Sequence, residues 1–93
     1  MPNKYQLKFA TAVKKDLRKL DKALQHELRT VHFPAIQQDP FHAYPLSQEL
    51  RGLWSYHIRY KGRSYRIVYE IDREASVVLV IMIGPIRVRR GLG

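Results

Sequence analysis

Apolar and polar residues alternate from Tyr5 to Phe9 (Tyr5-Gln6-Leu7-Lys8-Phe9), the period of a half-buried β-strand. The period then lengthens. Val13, Leu17 and Leu20 recur at i, i+4 and i+7, with Lys14, Lys15, Arg18 and Lys19 on the opposite face, so this stretch reads as an amphipathic helix. Asp21 is placed to cap a second helix, whose apolar stripe is Leu24, Leu28, Val31 and Ala35. Pro34 is expected to end or kink that helix near His32 and Phe33, because a proline ring removes a helical N–H and crowds the preceding turn. Residues 37–52 hold Pro40, Pro45 and Gly52 and read as a connecting loop. The two-residue period returns afterwards. Ser55–Tyr60, Ser64–Asp72 and Val77–Ile83 read as three strands joined by short polar turns.

The order is therefore β-α-α-β-β-β. Helices followed by a run of strands imply an α+β fold, with the N-terminal strand and a helical hairpin packed on a mainly antiparallel sheet. At 93 residues the chain is expected to form one domain over 1–93, with a single modest core.

Period-2 counting assigns the faces of that sheet. If Gly62 takes the first central position of a type II′ turn and Arg63 the second, Arg59 faces Arg66 and Tyr60 faces Tyr65. One face then collects Tyr56, Ile58, Tyr60, Tyr65, Ile67, Tyr69 and Ile71, and is expected to meet the helices. The other collects His57, Arg59, Lys61, Arg66 and Glu70. Like charges directly opposite on a sheet repel, so an Arg59–Arg66 pair calls for an external anion. Arginine suits a phosphate because its planar fork donates two hydrogen bonds and stays charged. His57 is the one side chain on that face whose ordinary pKa lies near neutrality, which makes it the candidate acid or base. A solvated sheet face and a surface histidine are the structural alternatives.

Charge sharpens the picture. Lys and Arg total 17 against 8 Asp and Glu, a net charge of +9, which favours a polyanionic partner. Lys61 and Arg63 at the turn, with Lys14, Lys15 and Arg18 on the first helix, are the further candidates for phosphate contact. A plainly solvated helix face is their alternative. His26, His32 and His42 show no metal-type pairing and read as structural, and Trp54 reads as a core anchor. The chain has no cysteine, which excludes disulfide scaffolds, thiolate metal sites and cysteine nucleophiles. No metal and no cofactor are expected, since no phosphate-loop, dinucleotide-binding or serine-elbow motif is present. The longest apolar run, Val77 to Ile83, is too short to cross a bilayer, and no secretory leader is visible, so a cytoplasmic protein without a membrane partner is expected.

Four stretches resemble the RelE/ParE toxin superfamily, and within it the RelE-type messenger-RNA endonucleases of toxin–antitoxin pairs. They are "VKKDLRKLD" (Val13–Asp21), "LRGLWSYHIRY" (Leu50–Tyr60), "SYRIVYEID" (Ser64–Asp72) and "VVLVIMIG" (Val77–Gly84). They keep the family's element order over nearly the whole chain. The resemblance implies a RelE-like fold and a metal-independent endoribonuclease that cleaves messenger RNA in the ribosomal A site. It also implies a cognate antitoxin, expected to be acidic, that wraps the toxin. By position, the family's basic catalytic residues become His57, Arg59 and Arg66, with Arg87 as a fourth. His57 stands where the family often has Lys, Arg87 is shifted by one from the late glycine, and the family's C-terminal Tyr has no counterpart. Two rivals follow from the same superfamily and charge: a ParE-like inhibitor of DNA gyrase, and a non-catalytic RNA-binding module.

Overall fold

The computed structural model describes residues 4–46 and 52–86. Strand β1 (Gln6–Phe9) leads into helix α1 (Thr11–Lys19), then α2 (Lys22–Glu27), a π-helical turn (Leu28–His32) and α3 (Phe33–Gln38). Strands β2 (Tyr44–Pro45), β3 (Leu53–Tyr60), β4 (Arg63–Asp72) and β5 (Val77–Pro85) complete one sheet in the order β1-β5-β4-β3-β2. β2, β3, β4 and β5 pair antiparallel with their neighbours, and β1 joins β5 in parallel. The expected α+β layering holds. The Tyr44–Pro45 strand, at the edge beside β3, lies in the segment read as loop.

Pro34 does not end the second helix. The chain stays helical to Gln38, because the turn from Leu28 to His32 widens and the Phe33 N–H donates to the Leu28 carbonyl, five residues back. The ladder has thus left its regular four-residue register where the proline ring would otherwise meet a carbonyl. Asp21 occupies the N-cap position of α2, but its carboxylate accepts from the Tyr60 hydroxyl at 3.1 Å and from Lys61 at 3.4 Å. The hydrogen bond from Tyr60 is the main cause that lowers its pKa below the ordinary value.

The hairpin turn corrects the expected register. Lys61 and Gly62 are its two central residues, with φ of 51° and 77°. Positive φ at both positions is the type I′ requirement, and its twist matches the strands it joins. Tyr60 consequently pairs with Arg63 and Arg59 with Ser64, so Arg66 stands opposite His57 and not opposite Arg59. The slip is by two residues, so the side chains within β3 and β4 keep the face the alternation gave them, while Lys61 passes into the turn.

One face meets the helices. Val13, Leu24, Leu28, Phe33 and Ile36 pack on Ile58, Ile67, Tyr69, Val78, Val80 and Ile83. A side chain such as Ile67, fully buried here, is worth about 1.5–3 kcal/mol of apolar transfer. β5 supplies Val78, Val80 and Ile83 to this core, which strict alternation forbids. The register shifts beside Val68 and Tyr69, where Met82 and Val80 are the partners and Ile81 is the inserted residue of a β-bulge. Among the described residues no helix is long and apolar enough to cross a membrane.

Candidate functional site

The sheet face away from the helices carries the chemistry. β3 presents Leu53, Ser55, His57 and Arg59 there, and β4 presents Ser64, Arg66, Val68 and Glu70 opposite them. His57 and Arg59 are exposed, Arg66 is half-buried, and Val68 and Ser55 between the strands are buried. Neither Arg59 nor Arg66 has an acidic partner within ion-pair distance among the described residues. Both guanidiniums therefore offer their donor forks to an external anion.

His57 is fixed by two neighbours. Its Nε2 shares a 2.9 Å hydrogen bond with the Ser55 hydroxyl, two residues back on the same face. Its ring lies 5.0 Å from the Tyr44 ring, at an interplanar angle of 32°. The direction of the Ser55 bond and the tautomer go together. When the hydroxyl accepts, Nε2 carries the proton and Nδ1 presents a lone pair able to take one. When the hydroxyl donates, Nδ1 carries the proton and can give it. The imidazole is therefore held in place with one nitrogen still available, beside two cations.

The other sequence candidates fall elsewhere. Lys61 lies in the hairpin turn, leans over the Tyr60 ring at 5.4 Å and contacts Asp21, so it leaves the cationic row. Arg63 is exposed at the start of β4, opposite Tyr60 and on the helix-side alternation. Lys14, Lys15 and Arg18 are exposed on α1, with the sheet between them and His57. Arg87 lies outside the described residues. Among the described residues no group of three His, Asp or Glu side chains is placed to hold a metal ion.

Two features were not read from the sequence. Tyr44 reaches the face through the short edge strand, which has no alternation to betray it. Glu27, His32 and Tyr56 form a chain: His32 Nε2 is 2.7 Å from Glu27 Oε2, and His32 Nδ1 is 2.9 Å from the Tyr56 hydroxyl. Burial, then the nearby Glu27 charge, raises the Tyr56 pKa above its ordinary value. His32 thus has the structural role expected of it, but as the centre of a polar chain that ties the π turn to β3.

The comparisons agree with this architecture. A family model described as "ParE toxin of type II toxin-antitoxin system, parDE" matches residues 7–87. Among solved structures, the chain is similar to the RelBE2 toxin–antitoxin complex of Mycobacterium tuberculosis, at 28% identity and a TM-score of 0.74, over 88% of this chain and 98% of that one. It is similar to the isolated RelE toxin of E. coli at 25% identity and a TM-score of 0.70, over 91% of this chain and 87% of that one. The YoeB/ParE toxin of Agrobacterium tumefaciens shares the fold at 18% identity and a TM-score of 0.69, over 88% of this chain and 99% of that one. No curated protein sequence matches the chain. With the family model spanning residues 7–87 and solved RelE-type toxins matching over most of the chain, the chain belongs to the RelE/ParE superfamily of toxins of type II toxin–antitoxin systems.

Proposed function

We propose that this toxin is an endoribonuclease that cleaves messenger RNA on the ribosome and so stops translation. The observation that carries the reading is a pair of arginines, Arg59 and Arg66, that have no acidic partner among the described residues and flank an anchored His57 on one open sheet face. The likeness to RelE toxins, at 25–28% identity, supports it further. The reaction is transphosphorylation. The RNA 2′ oxygen attacks the adjacent phosphorus, the bond to the 5′ oxygen breaks, and a 2′,3′-cyclic phosphate and a 5′ hydroxyl result. His57 moves a proton at the 2′ or the 5′ oxygen. Arg59 and Arg66 hold the phosphate and meet the charge that grows on it, and Arg87 is a fourth candidate. Three of these four are permanent cations and poor proton donors. Ribosomal RNA accordingly completes the acid–base set, and naked RNA is cut barely at all.

An antitoxin, acidic to match the +9 charge, restrains the toxin in the cytoplasm. Support comes from the toxin–antitoxin complexes among the similar structures. A second reading, inhibition of DNA gyrase, is favoured by the ParE description of the matching family. Induction in cells, followed by mapping of messenger 5′ ends, separates the two. Cuts phased with the reading frame are expected for the nuclease, and DNA damage without such cuts overturns it.

A further inference from the structure

Segment 41–44 and β3 enclose a cleft of about 490 Å³, lined by Phe41, His42, Ala43, Tyr44, Ser55, Tyr56 and His57. Tyr44 is the unusual member. It is 63% exposed, a large ring that contributes little burial to the fold. One side of the ring is taken by His57, and the rest faces solvent and the cleft. Through the pairing Tyr44↔Ser55 it stands on the same sheet face as His57, Arg59 and Arg66.

Arg66, His57 and Tyr44 therefore occupy three adjacent strands, β4, β3 and β2, with neighbouring strands about 5 Å apart. A guanidinium, an imidazole and an open aromatic ring follow one another across the sheet, and the second guanidinium, Arg59, stands two residues along β3 from His57 on the same face. Cations that track a backbone beside a ring that offers its π-face are the parts with which proteins hold single-stranded nucleic acid. We infer that Tyr44 is a base-stacking platform: a nucleotide of single-stranded RNA next to the phosphate held by Arg59 and Arg66 lays its base on the open side of the Tyr44 ring, within the cleft. The inference rests on the nuclease reading and adds a subsite to it. Stacking tolerates any base, so this subsite sets the position of the strand and not its sequence.

The test uses the full chain and a 2′-O-methyl RNA hexamer, whose blocked hydroxyls prevent cleavage, with binding read by fluorescence anisotropy at fixed salt. A series of hexamers carries an abasic residue at each position in turn. Tyr44→Ala is expected to weaken binding of the intact hexamer by about 5- to 150-fold, and Tyr44→Trp to retain it. One abasic position should weaken the wild type to the same degree and abolish the difference between wild type and Tyr44→Ala. If Tyr44→Ala binds every hexamer as the wild type does, or loses the same factor on all of them, Tyr44 stacks no base and the inference falls. Messenger cleavage on programmed ribosomes by the wild type distinguishes that failure from a failure of the nuclease reading. Preserved cutting means that only the subsite is wrong, whereas absent cutting and absent RNA binding overturn both. An acidic peptide that needs the Tyr44 ring while no hexamer does would assign the cleft to a protein partner and also overturn the inference.

Discussion

Glu27 and His32 are five residues apart, yet His32 Nε2 lies 2.7 Å from Glu27 Oε2. In a regular helix, side chains three and four apart are neighbours and those five apart diverge. The π turn over Leu28–His32 removes the divergence, and His32 then reaches Tyr56 on β3 with its other nitrogen. A local change of helical pitch thus becomes a tertiary link. A double-mutant cycle with Glu27→Gln and Tyr56→Phe should show it. Because both act through one imidazole, the two stability losses are expected to be non-additive by about 0.5–3 kcal/mol in thermal or urea unfolding. Strict additivity would mean that the chain is not a unit.

Arg66→Ala separates chemistry from charge. The Arg66 side chain leaves the sheet on the non-core face, so the fold should survive by circular dichroism. Loss of one transition-state donor typically costs about 10²–10³ in rate. Lys14→Ala removes the same charge from the helix layer and should act only through weaker, salt-dependent binding. Single-turnover messenger cleavage on ribosomes compares the two. Equal small losses would reduce Arg66 to a part of the basic surface.

Tyr69 gives the fold an alkaline limit. It is fully buried, and its hydroxyl donates to the Pro40 carbonyl at 2.7 Å. Burial above all, with Tyr56 and Asp39 adding to it, pushes its pKa well above the ordinary value of 10.0. The native state therefore keeps a proton that the unfolded chain releases near pH 10. The stabilisation is complete below that pH and is lost as pH rises towards the native pKa. Tyr69→Phe should lower stability by about 1 kcal/mol at neutral pH and make the alkaline decline shallower. Unfolding free energies at pH 7 and across pH 9–11 check both signs.

The hairpin turn offers opposite effects at adjacent residues. Gly62 has φ of 77° with open space where a Cβ would go, so Gly62→Ala is penalised by backbone conformation alone. The expected loss is about 1–2 kcal/mol. Lys61, at φ of 51°, already bears a similar penalty, and Asn tolerates that region better. Lys61→Asn should raise the melting temperature even though it gives up the exposed contact with Asp21, since such pairs are worth little. A lower melting temperature for Lys61→Asn would contradict this account of the turn.

The layers and faces were legible because alternation survives a slip of two residues. His57, Arg59 and Arg66 therefore reached the right face although Arg66 was given the wrong opposite number. The register was not legible, because Lys61-Gly62 and Gly62-Arg63 both satisfy a two-residue turn until the sign of φ at Lys61 is known. Tyr44 was hidden because its strand has only two residues, one of them a proline. The Glu27–His32 contact was hidden because five-residue spacing has no place in a 3.6-residue pattern. The bulge at Ile81 was hidden for a third reason. An unbroken apolar run looks the same with or without an inserted residue.

That run, Val77 to Ile83, has a consequence for how the protein survives its own synthesis. Seven apolar residues rich in β-branched side chains, without charge or proline, have the composition of a self-associating segment. In the finished sheet β4 pairs with one side of β5 along its length, while β1 pairs with the other side over Val77 to Val80 only. β1 comes from the far end of the chain, and parallel pairings between distant segments form late. For that interval the strand has an open edge, and intermolecular pairing competes with docking of β1. Removal of residues 1–9 should therefore shift the protein from the monomer peak to aggregates in size-exclusion chromatography, in proportion to protein concentration. A charge at Met82, which is partly exposed on the outer face, should slow that aggregation without unfolding the core. Seen this way, the four residues of β1 act as a colloidal guard over the stickiest part of the sequence.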